Sequence, residues 1–130
     1  MPDTMAAACM APDVMSANCP SRHVLKHVTS RWGVLVLIAL RGETLRYSAL
    51  RRRIDGVSER MLALTLQNLE ADGFVLRRAL DAVPPHVEYS LTETGDAVSS
   101  KVADLACWIE DNLHLIPSVQ GSDRGIGASD

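Results

Sequence analysis

The residues best equipped for chemistry are three cysteines, four histidines and a run of arginines through the middle of the chain. Cys19 stands directly before Pro20, and proline suits the first turn of a helix, where its missing N–H costs nothing. A thiol placed there meets the positive end of the helix dipole, which favours the thiolate that reacts with oxidants, quinones and aldehydes. The plainer role for such a thiol is to fill space as a small buried residue. Cys19, His23 and His27 fall at i, i+4 and i+8, on one helical face, and thiolate plus imidazole suits zinc or copper. The ends of that series lie about 12 Å apart along the axis, too far for one ion to bind all three, so a metal centre needs a ligand from elsewhere. Cys107 and His114 sit two turns apart on a later helix, and no compact Cys-x-x-Cys is present. The expectation is therefore no metal and no other cofactor.

The arginines point to a different chemistry. The formal net charge is -3, which argues against a generic nucleic-acid binder. Its distribution argues otherwise. Between Arg22 and Arg78 stand eleven Lys/Arg against five Asp/Glu; from Ala79 to the end stand two against nine. Phosphate affinity follows local charge rather than the total, so the basic segment is a candidate nucleic-acid surface. A phosphate-cradling glycine loop, Gly-x-Ser-x-Gly and His-Glu-x-x-His are all missing, and catalysis is not expected. Three cysteines do not make a secreted disulfide framework, no basic region opens a signal peptide, and no apolar run reaches the roughly 18–20 residues of a spanning helix. A cytoplasmic protein without membrane contact is the expectation.

These residues must be positioned by short, well-punctuated elements. Residues 1–18 read as a flexible arm, with Cys9 a bystander on it, and residues 117–130 as a disordered tail. Between them lies one domain, residues 19–116. A first helix opens at Cys19-Pro20 with Val24, Leu25 and Val28 inside. Thr29 or Ser30 caps a second, through Trp32, Leu35, Ile38 and Leu40, ended by Gly42. A third begins at Thr44, with Tyr47, Leu50 and Ile54 inside and Arg46, Arg51, Arg52 and Arg53 mostly outside. Asp55-Gly56 is a turn, Ser58 caps a fourth helix with Leu62, Leu66 and Leu69 at i, i+4 and i+7, and Asp72-Gly73 stops it. Phe74–Ala79 and Val87–Leu91 read as a hairpin. Thr92 then caps a long helix, ending near Ile116, whose apolar positions are Ala97, Val98, Val102, Leu105, Trp108, Ile109 and Leu113. The fold class is mainly α with a small β-hairpin. The third and fourth helices fit a helix-turn-helix, and the hairpin after them fits a wing.

Several segments occur in order: Cys19-Pro20, Arg31-Trp32, Leu45-Arg46-Tyr47-Ser48-Ala49-Leu50, Val57-Ser58-Glu59-Arg60-Met61-Leu62, Leu69-Glu70-Ala71-Asp72-Gly73-Phe74-Val75, and the stretch from Pro84-Pro85-His86 through Thr94-Gly95. Over residues 19–115 the chain resembles the HxlR-type family of bacterial winged helix-turn-helix regulators, within the MarR-like superfamily. The resemblance implies a transcription regulator acting as a homodimer, with extra N- and C-terminal helices at the dimer interface. It also implies oxidant or electrophile sensing at the position of Cys19 in some members. Thr29-Ser30-Arg31 replaces the family's usual Gly-Gly-Lys before Trp32, and Leu64 stands where a polar residue is common.

Dimeric helix-turn-helix proteins read pseudo-palindromic sites about one helical turn apart. Here Ser58, Arg60, Ala63, Leu64, Gln67 and Asn68 occupy the outward face of the fourth helix. Arg60 would hold a guanine or a phosphate, Ser58 would sit against a phosphate, and Leu64 would meet a thymine methyl. Arg51 and Arg52 would supply backbone contacts, with at least one of Arg51, Arg52 and Arg53 simply solvated. Arg77 and Arg78 face opposite sides of their strand, one toward DNA and the other toward a carboxylate, and His86 near the hairpin tip is a weaker candidate. With the long helix at a dimer interface, an intersubunit Cys19–Cys107 disulfide would act as a switch. The rival readings are a metal- or small-molecule-responsive regulator and a winged-helix module for protein contacts.

Overall fold

The computed structural model describes residues 14–120. Among the described residues six α-helices, a short 3-10 turn and three strands follow in the order α1 (Pro20–Thr29), α2 (Arg31–Ala39), β1 (Leu45–Arg46), α3 (Tyr47–Arg53), α4 (Glu59–Ala71), β2 (Val75–Leu80), β3 (His86–Leu91), α5 (Glu93–Asp111), a 3-10 turn (Leu113–Leu115) and α6 (Pro117–Gln120). No helix among the described residues is long and apolar enough to cross a membrane.

Local chemistry explains most boundaries. Ser30 separates α1 from α2 and caps the latter, its hydroxyl accepting from the Gly33 N–H at 3.1 Å. Ser58 does the same for α4, accepting from Met61 N–H at 3.1 Å, and Thr92 for α5, accepting from Gly95 N–H at 2.9 Å. Between α3 and α4 the chain turns through Gly56 at φ 89°, a left-handed conformation that a side chain would resist.

The core is one cluster. α2 contributes Val36, Leu37 and Ala39, followed by Leu40; α3 contributes Leu50, followed by Ile54; α4 contributes Leu62, Leu66 and Leu69. Phe74, Val75 and Val102 close it. Thr65 is also buried, its hydroxyl returned to the Met61 carbonyl at 2.7 Å, which satisfies it without a distant partner.

The sheet differs from a two-stranded hairpin. Its order is β1-β3-β2, all antiparallel. Leu45 pairs with Tyr89 and Arg46 with Glu88, so Thr44–Arg46 are not the first turn of a helix, and α3 starts at Tyr47. A two-residue strand is too short to show a period of two, and its existence depends on an edge of β3 supplied some forty residues later. The long helix also ends sooner than Ile116. Asn112 donates its side-chain amide to the Trp108 carbonyl at 2.8 Å and leaves helical geometry, after which Leu113–Leu115 form the 3-10 turn. Pro117–Gln120 are helical, in the segment expected to be disordered; residues 121–130, and residues 1–13 with Cys9, lie outside the described residues.

One contact locks the wing to α5. Gly95 packs so closely on the Phe74 carbonyl that a Cβ would collide with it. Thr92 Oγ1 meanwhile donates to the Gly73 carbonyl at 2.6 Å. Gly95→Ala is therefore expected to destabilise the chain by roughly 1–3 kcal/mol, as overpacking against fixed backbone does. Urea unfolding reads this directly; an unchanged midpoint would show that the backbone gives way at no cost.

Candidate nucleic-acid interface

Burial of Leu62, Leu66 and Leu69 decides which side of α4 faces solvent. Ser58, Arg60, Leu64 and Gln67 are exposed, and Ala63 and Asn68 are half-buried at its margins. Arg60, Ala63, Leu64, Gln67 and Asn68 thus lie on one side of α4, and Ser58 sits at its start as the N-cap. Met61 is exposed beside them. The Ser58 cap leaves the first turn of α4 open to solvent, where peptide N–H groups and the dipole favour an anion.

α3 is tied to this turn by a hydrogen bond invisible in the sequence. Tyr47 Oη donates to the Glu59 backbone carbonyl at 2.7 Å. Burial, and secondarily the Glu59 carboxylate, hold the Tyr47 phenol above its ordinary value, so it remains a donor well past neutral pH. Arg51 pairs with the Glu59 carboxylate at 2.9 Å, both side chains being largely exposed. Arg53 pairs with Glu43 at 3.4 Å. Arg52 is exposed and has no ion pair among the described residues. The arginine triplet therefore divides: two lean on carboxylates of their own chain and one is left to solvent.

The wing divides as well. Val75 is buried, so Arg77, two residues on, shares its face of β2 on the α4 side. There Arg77 lines a groove of about 360 Å³ with Tyr47, Ala63, Gln67, Glu70 and Tyr89. Arg78 lies on the opposite face, beside Glu88, which in turn faces Arg46 on β1. The register therefore separates the two arginines, Arg77 on the α4 side of the sheet and Arg78 on the other side opposite Glu88. His86 is half-buried and lies 3.4 Å from Glu88.

Cys19 is the N-cap residue of α1 and half-buried; Cys107 is exposed on α5; both are free thiols. His27 does not stand alone on its helix. Its Nδ1 lies 2.6 Å from Asp72 Oδ2, at the end of α4. In the sequence Asp72 reads only as a helix stop, because a pairing across forty-five positions has no local signal.

A helix-turn-helix with an arginine-bearing wing is an arrangement shared with known proteins. A family model described as HxlR-like helix-turn-helix matches residues 27–116. The chain belongs to the HxlR-like family. It is 62% identical over 108 residues to an uncharacterized HTH-type transcriptional regulator, YtfH of Escherichia coli (strain K12), across 83% of this chain and 86% of that one. A solved structure described as a transcriptional regulator, ytfH from Salmonella typhimurium, superimposes with a TM-score of 0.78 at 59% identity, covering 84% of this chain and 97% of that one. The redox regulator HypR in its oxidized form superimposes with a TM-score of 0.66 at 35% identity, covering 72% and 96%. This HxlR-like chain is thus a transcriptional regulator with a winged helix-turn-helix fold, not an enzyme, and its family implies DNA binding.

Tyr47→Phe isolates the bond between the two helices of the motif. It should cost about 1 kcal/mol, the usual net value of one hydrogen bond. Because the folded phenol titrates above 10.0, it contributes stability that is complete below that pH and lost as pH climbs toward the raised value; Tyr47→Phe should lack that alkaline component. Melting curves of both chains at neutral and alkaline pH check this, and parallel pH profiles would contradict it.

Proposed function

We propose that this regulator binds, as a homodimer, a pseudo-palindromic duplex site, with α4 in the major groove and oxidation of Cys19 altering the fit. The carrying observation is the exposed face of α4, bracketed by Arg52 on α3 and Arg77 on β2. Arg60 contacts a guanine edge or a phosphate, Gln67 and Asn68 have the amides that recognise adenine, and Ala63 and Leu64 meet thymine methyls. Ser58, Arg52 and Arg77 hold phosphates, and Arg51 joins them on release from Glu59. Arg78, beside Glu88, supports the wing and contacts DNA last.

Dimer formation is supported by surplus apolar surface. Leu105, Trp108 and Ile109 on α5, Leu115 beyond it and Leu25 on α1 are all exposed in the single chain. Contiguous apolar helix faces of this kind are covered in stable proteins by a partner, and a second copy gives closed two-fold symmetry. The two half-sites then present α4 helices one DNA turn apart.

Redox control is supported by two features. Cys19 occupies a helix N-cap, and Cys107 is an exposed free thiol on α5. HypR, of similar fold, is described as a redox regulator with oxidized and reduced forms. In this reading, oxidation joins Cys19 of one protomer to Cys107 of its partner and shifts the two α4 helices relative to each other.

Salt-titrated binding of the reduced protein to DNA upstream of its own gene, against an unrelated duplex, tests the DNA reading. Selective binding that weakens as salt rises is expected. Arg60→Ala should cost about 1–3 kcal/mol if it contacts a base, while Arg77→Ala should weaken all sequences alike and lower the salt slope by about one. Equal weak binding to both duplexes would contradict sequence-specific recognition. Cys19→Ser should leave reduced-state affinity unchanged and abolish the response to diamide; a retained response would remove Cys19 from the mechanism.

A further inference from the structure

We infer that His23, His27 and Asp72 form a binding site for one divalent transition-metal ion of the zinc class, at the joint between α1 and the end of α4. One donor atom from each side chain lies within 4.8 Å of the others. His23 and His27 are one helical turn apart, so both imidazoles leave α1 on the same side. Their ring centroids are 4.6 Å apart with planes inclined at 69°, an arrangement that leaves both rings' nitrogens able to converge. Asp72 arrives from a different element and adds the negative charge that two neutral imidazoles lack. Its side chain is only 8% exposed and that of His27 only 14%, so an ion bound there would be shielded from water on the protein side. His23 is exposed and forms the open rim.

The donor chemistry is selective. Two imidazole nitrogens and one carboxylate oxygen suit zinc, cobalt or nickel, and are too nitrogen-rich for magnesium or calcium. Bonds of about 2.0–2.2 Å to each donor put neighbouring donors roughly 3–3.5 Å apart in a tetrahedral shell. His27 and Asp72, at 2.6 Å, must part slightly, and His23 must swing inward. Three protein ligands leave a fourth position for water or a small anion. The i, i+4, i+8 series of Cys19, His23 and His27 cannot enclose an ion; the fold replaces its far end with Asp72, and Cys19 does not belong to the cluster.

The position gives the ion a mechanical role. Asp72 is the C-cap of α4, and Gly73 next to it turns the chain toward the wing. A bound ion would fasten α1 to the end of α4 more tightly than the single His27–Asp72 bond does.

The full-length, tag-free chain, stripped with chelator and kept reduced, is titrated with cobalt(II) and, separately, with zinc. One ion per protomer, a cobalt spectrum of nitrogen and oxygen ligation without thiolate charge transfer, and a zinc-dependent rise in Tm are expected. His23→Ala should weaken affinity by at least about tenfold, in the range seen when metal-site residues are lost, and leave the metal-free Tm unchanged because His23 is exposed. Asp72→Asn should weaken it further, and a chain with all three cysteines replaced by serine should bind as well as the original. No saturable binding would overturn the site and leave His27–Asp72 a plain structural pair. Binding unaffected by His23→Ala, or lost with the cysteines, would overturn it too.

Discussion

Leu62, Leu66 and Leu69 on α4 are packed without meaningful solvent access into the cluster formed by Val36, Leu37 and Leu40 from the α2 segment and Leu50 from α3. Each such leucine is worth about 1.5–3 kcal/mol relative to exposure. The polar contacts around α4 are far smaller: an exposed ion pair such as Arg51–Glu59 contributes about 0–1 kcal/mol. Rotation of α4 about its own axis is therefore governed by the leucines. Turning the helix far enough to hide Arg60 or Gln67 would expose the stripe, so the outward face is a consequence of core packing rather than of any interaction on that face.

Its two ends are held by different means. At the start, the Ser58 cap and the Tyr47–Glu59 hydrogen bond fix the first turn against α3. At the far end, Asp72 meets His27, and the Gly73 carbonyl accepts from Thr92 at the start of α5. Gly95 then lies against Phe74, where no side chain fits. The end of α4, the root of the wing and the first turn of α5 thus share one joint. A displacement of α5 therefore has a short structural route to α4.

Features legible in the sequence are those set by neighbours along the chain. The Ser58 cap, the Gly56 turn, the leucine period of α4 and the Thr92 cap all depend on spacings of four residues or fewer. Features that escaped depend on partners far away. β1 exists only because β3 offers it an edge, Asp72 acquires a role only when α1 folds over it, and the Tyr47 hydroxyl finds its partner in a backbone carbonyl twelve residues on. The arginines illustrate the boundary well. Their number implies a basic surface, but the partition among Glu59, Glu43 and solvent is set by contacts between α3 and elements away from it in the chain. The apolar stripe of the long helix was legible as a stripe, yet not as two halves: Val98 and Val102 pack on the chain's own core, whereas Leu105, Trp108 and Ile109 remain exposed.

Hydroxyl-radical footprinting of the reduced full-length protein on its upstream DNA tests the central claim most directly. A dimer that places one α4 in each of two successive major grooves should protect two backbone patches about one helical turn apart, with flanking protection from the wings that Arg77→Ala selectively weakens. A single protected patch, or protection that Arg60→Ala and Arg77→Ala leave unaltered, would contradict it.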